Sequence, residues 1–217
     1  HKTGLVYNGI DPTSFEAVSE DEAQAVRQEL GLDSERPVFG VFGRLARWKG
    51  QHVLLRALPE LPDAQLLLVG EALFQEDEAY KRELRTLCDD LSIEDRVHVL
   101  GFRHDVPRLM AATDVLVHTS TAPEPFGRVL VEGMLARTPV VATRAGGPAE
   151  IIEDGTTGCL VPPDDPTALA QTLRTVLNDA QARVEMVEAA YDRARTRFSM
   201  EAMLGAVDEQ IRQAISQ

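Results

Sequence analysis

The chain has 217 residues and carries 35 acidic against 22 basic side chains, a net charge of −13. A field of that sign repels polyphosphates and anionic lipid surfaces, so neither nucleic acid nor a membrane is expected as a partner. At 44% hydrophobic residues the chain can enclose a substantial core, and its two cysteines, Cys88 and Cys159, lack metal-ligand spacing and read as reduced thiols of a cytoplasmic protein.

Residues 4–10 (GLVYNGI) read as the end of a strand and a turn. With a histidine as the first residue, this suggests a piece of a longer protein. Residues 37–43 (PVFGVFG) form an apolar run closed by glycine, which predicts a buried strand. Residues 50–61 carry helical periodicity through Val53, Leu54, Ala57 and Leu58. A second strand is expected at 64–70 (AQLLLVG), and an amphipathic helix at 76–91 with Leu84, Leu87 and Leu91 on one side. Further strands are expected at 97–100, 114–118, 139–142 and 158–161. The intervening helices fall at 106–112, 126–137 and 148–153. After Pro166 the whole remainder reads as helix.

Short unbroken apolar strands between helices imply a parallel sheet covered on both faces. The expected architecture is α/β, doubly wound and Rossmann-like, with right-handed crossovers and a ligand crevice at the carboxyl ends of the strands. Residues 1–217 read as one domain, with 166–217 as a helical tail. That tail is long for a covering layer, so part of it is expected to pack elsewhere in a longer protein.

Residues 43–50 (GRLARWKG) place three cations, Arg44, Arg47 and Lys49, where a strand gives way to a helix. A helix N-terminus disfavours cations unless an anion sits among them. Arg offers a planar fork to phosphate and Lys a mobile charge. The alternative is a solvated basic loop paired with the acidic surface. Neither G-x-G-x-x-G nor G-x-x-x-x-G-K-[ST] is present.

Residues 124–132 (EPFGRVLVE) hold two glutamates eight positions apart. Pro125 disfavours helix at Glu124 and is itself suited, with Phe126, to the first turn. Gly127 permits close backbone approach, and the free N–H groups of the first turn suit an anion. A helix would separate the two carboxylates by roughly 10–12 Å along its axis, the span of an extended diphosphate flanked by two sugars. A surface ladder of ion pairs through Glu124, Arg128 and Glu132 explains the charges equally well.

The run 124–132 resembles the E-x7-E signature of retaining glycosyltransferases with the GT-B fold, in the large group 1 family (family 4). Other pieces resemble that family in its own order. They are Tyr7-Asn8-Gly9-Ile10-Asp11, Gly43-Arg44-Leu45 with Lys49-Gly50, Val69-Gly70-Glu71, Leu100-Gly101-Phe102, residues 138–143 with Gly146-Gly147, and Gly155 to Gly158 with Val161-Pro162. The resemblance covers nearly everything before the tail. It implies the donor-binding C-terminal domain of an enzyme that moves a hexosyl-type sugar from a nucleotide sugar to an acceptor hydroxyl.

The resemblance also implies roles. Gly43, Arg44 and Lys49 would bind the donor diphosphate. Glu124 would contact the transferred sugar, with the backbone near Phe126 and Gly127. Val129 would offer its amide to phosphate and Glu132 would hold the ribose. Arg103 (through its backbone) and Asp105 lie where the family holds the base. Ser120 falls in the "PS" before the signature, and Arg128 lies between its glutamates. Arg44, Lys49 and Glu124 would be the catalytic set.

The family resemblance implies no cofactor and no metal for donor binding, and His52, His98, His104 and His118 lack metal-ligand spacing. Further implied are an N-terminal acceptor-binding domain outside this chain, weak donor binding and little or no catalysis by the piece alone, and a cytoplasmic location with any membrane attachment left to that missing domain. Departures are Thr119 for proline, no second glycine after Gly70-Glu71, Arg128 for an aliphatic residue and Gly133 for alanine. The alternative functions are a non-catalytic nucleotide-binding module and a GT-B enzyme of other chemistry, such as a sugar epimerase.

Overall fold

A computed structural model describes residues 4–215. Its centre is a six-stranded, wholly parallel sheet in the order β3-β2-β1-β4-β5-β6. The strands are β1 (Val38–Phe42), β2 (Gln65–Val69), β3 (Val97–Gly101), β4 (Val115–His118), β5 (Val140–Thr143) and β6 (Cys159–Val161). The helices in chain order are α1 (Thr13–Glu16), α2 (Glu20–Glu29), α3 (Gln51–Ala57), α4 (Gln75–Leu91), α5 (Val106–Ala111), α6 (Arg128–Leu135), α7 (Pro148–Ile151), α8 (Pro166–Asn178), α9 (Ala180–Arg197) and α10 (Met200–Ile215).

Strand alternation divides the core in two. Phe39, Val41, Leu66, Leu68, Val115 and Val117 face α3, α4 and α8, whose Leu54, Leu84 and Leu169 complete one apolar layer. Val38, Phe42, Leu67, Val69 and Leu116 face the other way, against Val26, Leu109, Leu130, Met134 and Phe198. Because both faces are buried, the strands read as continuous apolar runs. The doubly wound α/β reading is therefore the observed fold.

The chain order reverses between β1 and β4, so the loops leaving these two neighbouring strands open a crevice at their carboxyl ends. The loops are stitched together there: the Thr121 N–H donates to the Trp48 carbonyl (2.8 Å) and the Thr119 hydroxyl to that of Lys49 (3.0 Å). Gly50 makes this approach possible, since a Cβ on it would lie 2.0 Å from the Thr119 carbonyl oxygen.

Four differences from the expected elements appear. Residues 4–10 are not the end of a sheet strand, and only Ile10 forms a bridge, with Ser199. The segment between Ile10 and β1, for which no element is expected, contains two helices, with α2 started by a capping box between Ser19 and Glu22. The tail is three helices, broken after Asn178 and at Phe198-Ser199. Its α8 and α9 pack on the domain, while α10 buries no side chain and leaves Leu204, Val207, Ile211 and Ile215 exposed. Residues 216–217, the end of the expected tail, lie outside the described residues. Fourth, α6 starts at Arg128, not at Phe126. Residues 124–127 are held instead by Glu124, which bridges Gly146 through the hydrogen bonds Glu124 N–H to Ala145 O (3.1 Å) and Gly147 N–H to Glu124 O (2.8 Å). The chain leaves that bridge through Gly127 at φ 102°, a left-handed conformation that glycine takes without a Cβ penalty.

Candidate functional site

The centre of the crevice is a single carboxylate oxygen. Lys49 Nζ lies 2.5 Å from Oε2 of Glu124, Ser120 Oγ donates to the same oxygen at 3.2 Å, and His118 Nε2 is 3.3 Å away. Lys49 comes from the β1 loop, while His118 ends β4 and Ser120 follows it. His118 and Ser120 are buried, which fixes them by packing. Burial alone would raise the Glu124 carboxyl, but the hydrogen bonds from His118 and Lys49 and the Lys49 charge outweigh it and bring it down to about 2. Among the described residues Oε1 of Glu124 has no hydrogen-bond partner.

Glu124 thus lies ahead of α6, as expected, and Glu132 lies one turn inside it. The helix on which the span of roughly 10–12 Å rests covers only the second half of the interval. At about 1.5 Å per residue the helical part from Arg128 to Glu132 contributes about 6 Å. The ion-pair ladder has one rung: Arg128 Nη2 is 3.5 Å from Glu132 Oε1, and Glu124 pairs with Lys49 instead. Burial pushes the Glu132 carboxyl up, opposed by the charge of Arg128. Gly127 gives α6 no side-chain cap, so among the described residues the N–H groups of Arg128 and Val129 at its first turn have no side-chain partner and can meet an anion.

Arg44 stands apart from this cluster. Its guanidinium is 3.7 Å from Asp77 in the first turn of α4 and lies near the rings of Phe74 (5.0 Å) and Trp48 (6.0 Å). Trp48 also lies beneath the Lys49 ammonium, at 4.4 Å. Beyond Arg44 a cavity of about 240 Å³ opens over the ends of β1, β2 and β3, lined by Phe42, Gly43, Arg44, Leu73, Phe102 and Arg103 among others. Arg103 and Asp105 form a two-pronged ion pair at its edge (2.8 and 2.7 Å), which holds the Asp105 carboxyl below its ordinary range. Phe126 turns away from the crevice cluster and packs with Tyr7 and Phe198.

The structure therefore gathers Lys49, Glu124 and Ser120, and sets Gly43, Arg44 and Arg103 around the adjoining cavity, with Asp105 paired to Arg103. His118 is the participant that metal-ligand spacing did not select. The signal for it was its place as the last residue of an expected strand, at the end where such sheets bind ligands. Cys88 is buried, and its thiol is pushed up to about 11 by that burial.

The sequence profile described as "Glycosyl transferases group 1" matches residues 22–193. Spore coat protein SA of Bacillus subtilis is 32% identical over 210 residues, covering 91% of this chain and 55% of the relative. A D-inositol 3-phosphate glycosyltransferase of Corynebacterium kroppenstedtii is 37% identical over 207 residues, covering 90% and 44%. The crystal structure of Anabaena Alr3699/HepE in complex with UDP and glucose superposes with a TM-score of 0.90 at 41% identity, over 99% of this chain and 56% of that one. The chain spans about half the length of these relatives. It covers the whole of a crystallised C-terminal domain from a group 1 glycosyl transferase of Francisella tularensis, at 26% identity and a TM-score of 0.74. A doubly wound sheet with a polar crevice at its switch point, a profile match over most of its length and this set of relatives lead to one conclusion: the chain belongs to the group 1 glycosyl transferases and corresponds to their C-terminal domain.

Proposed function

We propose that this domain binds a nucleoside diphosphate sugar and serves as the donor half of a retaining, hexosyl-type transferase of the GT-B family 4, delivering the sugar to an acceptor hydroxyl. The observation that carries the reading is the meeting of Lys49 and Glu124 across the β1–β4 switch point, beside the uncapped first turn of α6. UDP is the first nucleotide to test, since HepE, at 41% identity, was crystallised with UDP and glucose.

In this reading the base enters the cavity beside Phe102 and Arg103. The diphosphate crosses between the β1 loop and the N–H groups of Arg128 and Val129. Two of the three N–H bonds of Lys49 remain for it once one is given to Glu124. Arg44 swings from Asp77 toward the same phosphates, and Glu132 receives the ribose hydroxyls. The transferred sugar then lies at Glu124. As the glycosidic bond breaks, negative charge grows on the leaving diphosphate. Lys49, Arg44 and the α6 terminus favour that state over the ground state, which lowers the barrier. Retention rests on the resemblance of residues 124–132. The acceptor belongs to a further, N-terminal domain, so this chain alone binds donor and transfers little; a cytoplasmic location and a role without cofactor complete the proposal.

Calorimetric titration of the chain with UDP, GDP, ADP and UDP-glucose tests the reading. Saturable binding of one nucleoside diphosphate, lost in Lys49→Ala, is the expected result. Absence of heat with every nucleotide, together with unshifted melting temperatures, would overturn it.

A further inference from the structure

His118 is a buried titratable side chain at the carboxyl end of a central strand, and no expected role accounts for it. Its Nε2 faces Glu124 Oε2 at 3.3 Å and Ser120 Oγ at 3.1 Å, and its Nδ1 is buried with no partner among the described residues. The location of the ring proton follows. Glu124 is an acceptor, since Lys49 lies 2.5 Å from the same oxygen. A bare Nε2 would set two acceptors against each other and also bury an unpaired N–H at Nδ1. A proton on Nε2 leaves only one unpaired acceptor, which is the smaller penalty. Nε2–H then donates toward the carboxylate, and the Ser120 hydroxyl donates to it as well. With Lys49, three donors converge on Oε2. None of them reaches Oε1.

We propose that His118 is a positioning residue of the sugar end of the donor site: with Ser120 it pins Oε2 of Glu124, so that Oε1 is the oxygen offered to a hydroxyl of the transferred sugar. The inference rests on the donor-binding reading above and adds to it a residue and an orientation. Lys49 alone would not fix the carboxylate, because its flexible stem lets ammonium and carboxylate move together and because an entering diphosphate competes for it. The imidazole, packed at the end of a strand, supplies a donor whose direction does not change when the ligand arrives.

The test uses the chain with UDP and UDP-glucose as probes. His118→Leu removes the donor and keeps an apolar filling, and His118→Gln returns an N–H near the Nε2 position. The quantity read is the ratio of the two dissociation constants, UDP-glucose over UDP. In His118→Leu the ratio should rise about tenfold, the loss of one hydrogen bond to a charged group, with UDP affinity held within about twofold. His118→Gln should recover most of the difference. The imidazole 15N shifts of the wild-type protein, assigned by the loss of one signal set in His118→Gln, should show the proton on Nε2. An unchanged ratio in His118→Leu, or a Gln variant as impaired as the Leu variant, overturns the proposal, as does a proton on Nδ1. If His118→Leu does not fold, the ring tautomer and a near wild-type ratio in His118→Gln decide. Failure of the wild type to bind either probe overturns the donor-binding reading itself, whereas UDP binding with an unchanged ratio removes only the role of His118.

Discussion

Lys49 Nζ sits 2.5 Å from Glu124 Oε2, joining residues 75 positions apart in sequence. The pair fixes which ligand each residue serves. Replacing Lys49 with Ala should weaken nucleoside diphosphate binding by about 1.5–3 kcal/mol, the range for hydrogen bonds to a charged group. Glu124→Gln should leave the nucleoside diphosphate unaffected and weaken only the sugar-bearing donor. Calorimetry with UDP and UDP-glucose on both variants checks this, and equal loss of both ligands in Glu124→Gln would contradict the polarity of the site.

The same pair gives a pH dependence. Glu124 titrates at about 2 in the folded protein, below the ordinary value of 4.5. A depressed carboxyl contributes stability that is fully present above the unfolded value and is lost as the pH falls through the folded one. The stability advantage of the wild type over Glu124→Gln should therefore shrink between about pH 4.5 and pH 2. Urea unfolding at stepped pH measures it, and a constant difference across that window would show that the carboxylate is not held by its partners.

Glu132 behaves in the opposite sense. Burial raises its carboxyl, and Arg128, two-thirds exposed, lowers it only in part. Glu132→Gln should weaken nucleoside diphosphate and intact donor alike if the residue holds ribose. Arg128→Ala should shift the stability of the free protein by only a few tenths of a kcal/mol, as for exposed helical pairs, and should reduce the melting shift produced by UDP. A variant clearly less stable without ligand, yet with the full ligand-induced shift, would make Arg128 structural.

Arg96 offers a control far from chemistry. It is buried, and its guanidinium donates to the carbonyls of Leu61 (2.9 Å), Ala64 (3.0 Å) and Leu58 (3.4 Å), tying the end of α3 to the start of β2. Arg96→Met should cost about 3 kcal/mol by removing three hydrogen bonds from a charged group, although the Leu58 and Leu61 carbonyls keep the N–H groups of Leu61 and Ala64, with nucleotide affinity unchanged in the folded fraction. Denaturant unfolding showing less than about 1 kcal/mol of loss would mean that water replaces the guanidinium.

Periodicity made the sheet legible because strands buried on both faces leave continuous apolar runs, as residues 37–43 and 64–70 do. It failed where burial is partial. The helix α2 has one buried side chain, Val26, so its periodic signal is faint. Its capping box, Ser19-x-x-Glu22, was the readable cue. The start of α6 was misread because Pro125 suits a first turn locally. The bridge of Glu124 to Gly146 holds that segment extended, and no local rule reports a contact made by a distant loop. The charges of the site were visible in sequence as two separate clusters. The parting of Arg44 from Lys49, and the recruitment of His118, depend on side-chain directions that spacing does not encode.

The stitching of the β1 loop to the β4 loop bears on how the protein acquires its site. The hydrogen bonds that join Lys49 to Glu124 and Thr119, and Trp48 to Thr121, span 75, 70 and 73 residues. Closing so long a loop is slow relative to local turns, and its entropy is repaid only when both sheet halves are in place. Neither half can assemble the carboxylate cluster by itself. Nucleotide affinity in this domain should consequently appear late and all at once during refolding, after the helices have formed, so that ligand capture in a stopped-flow trace marks the completed fold.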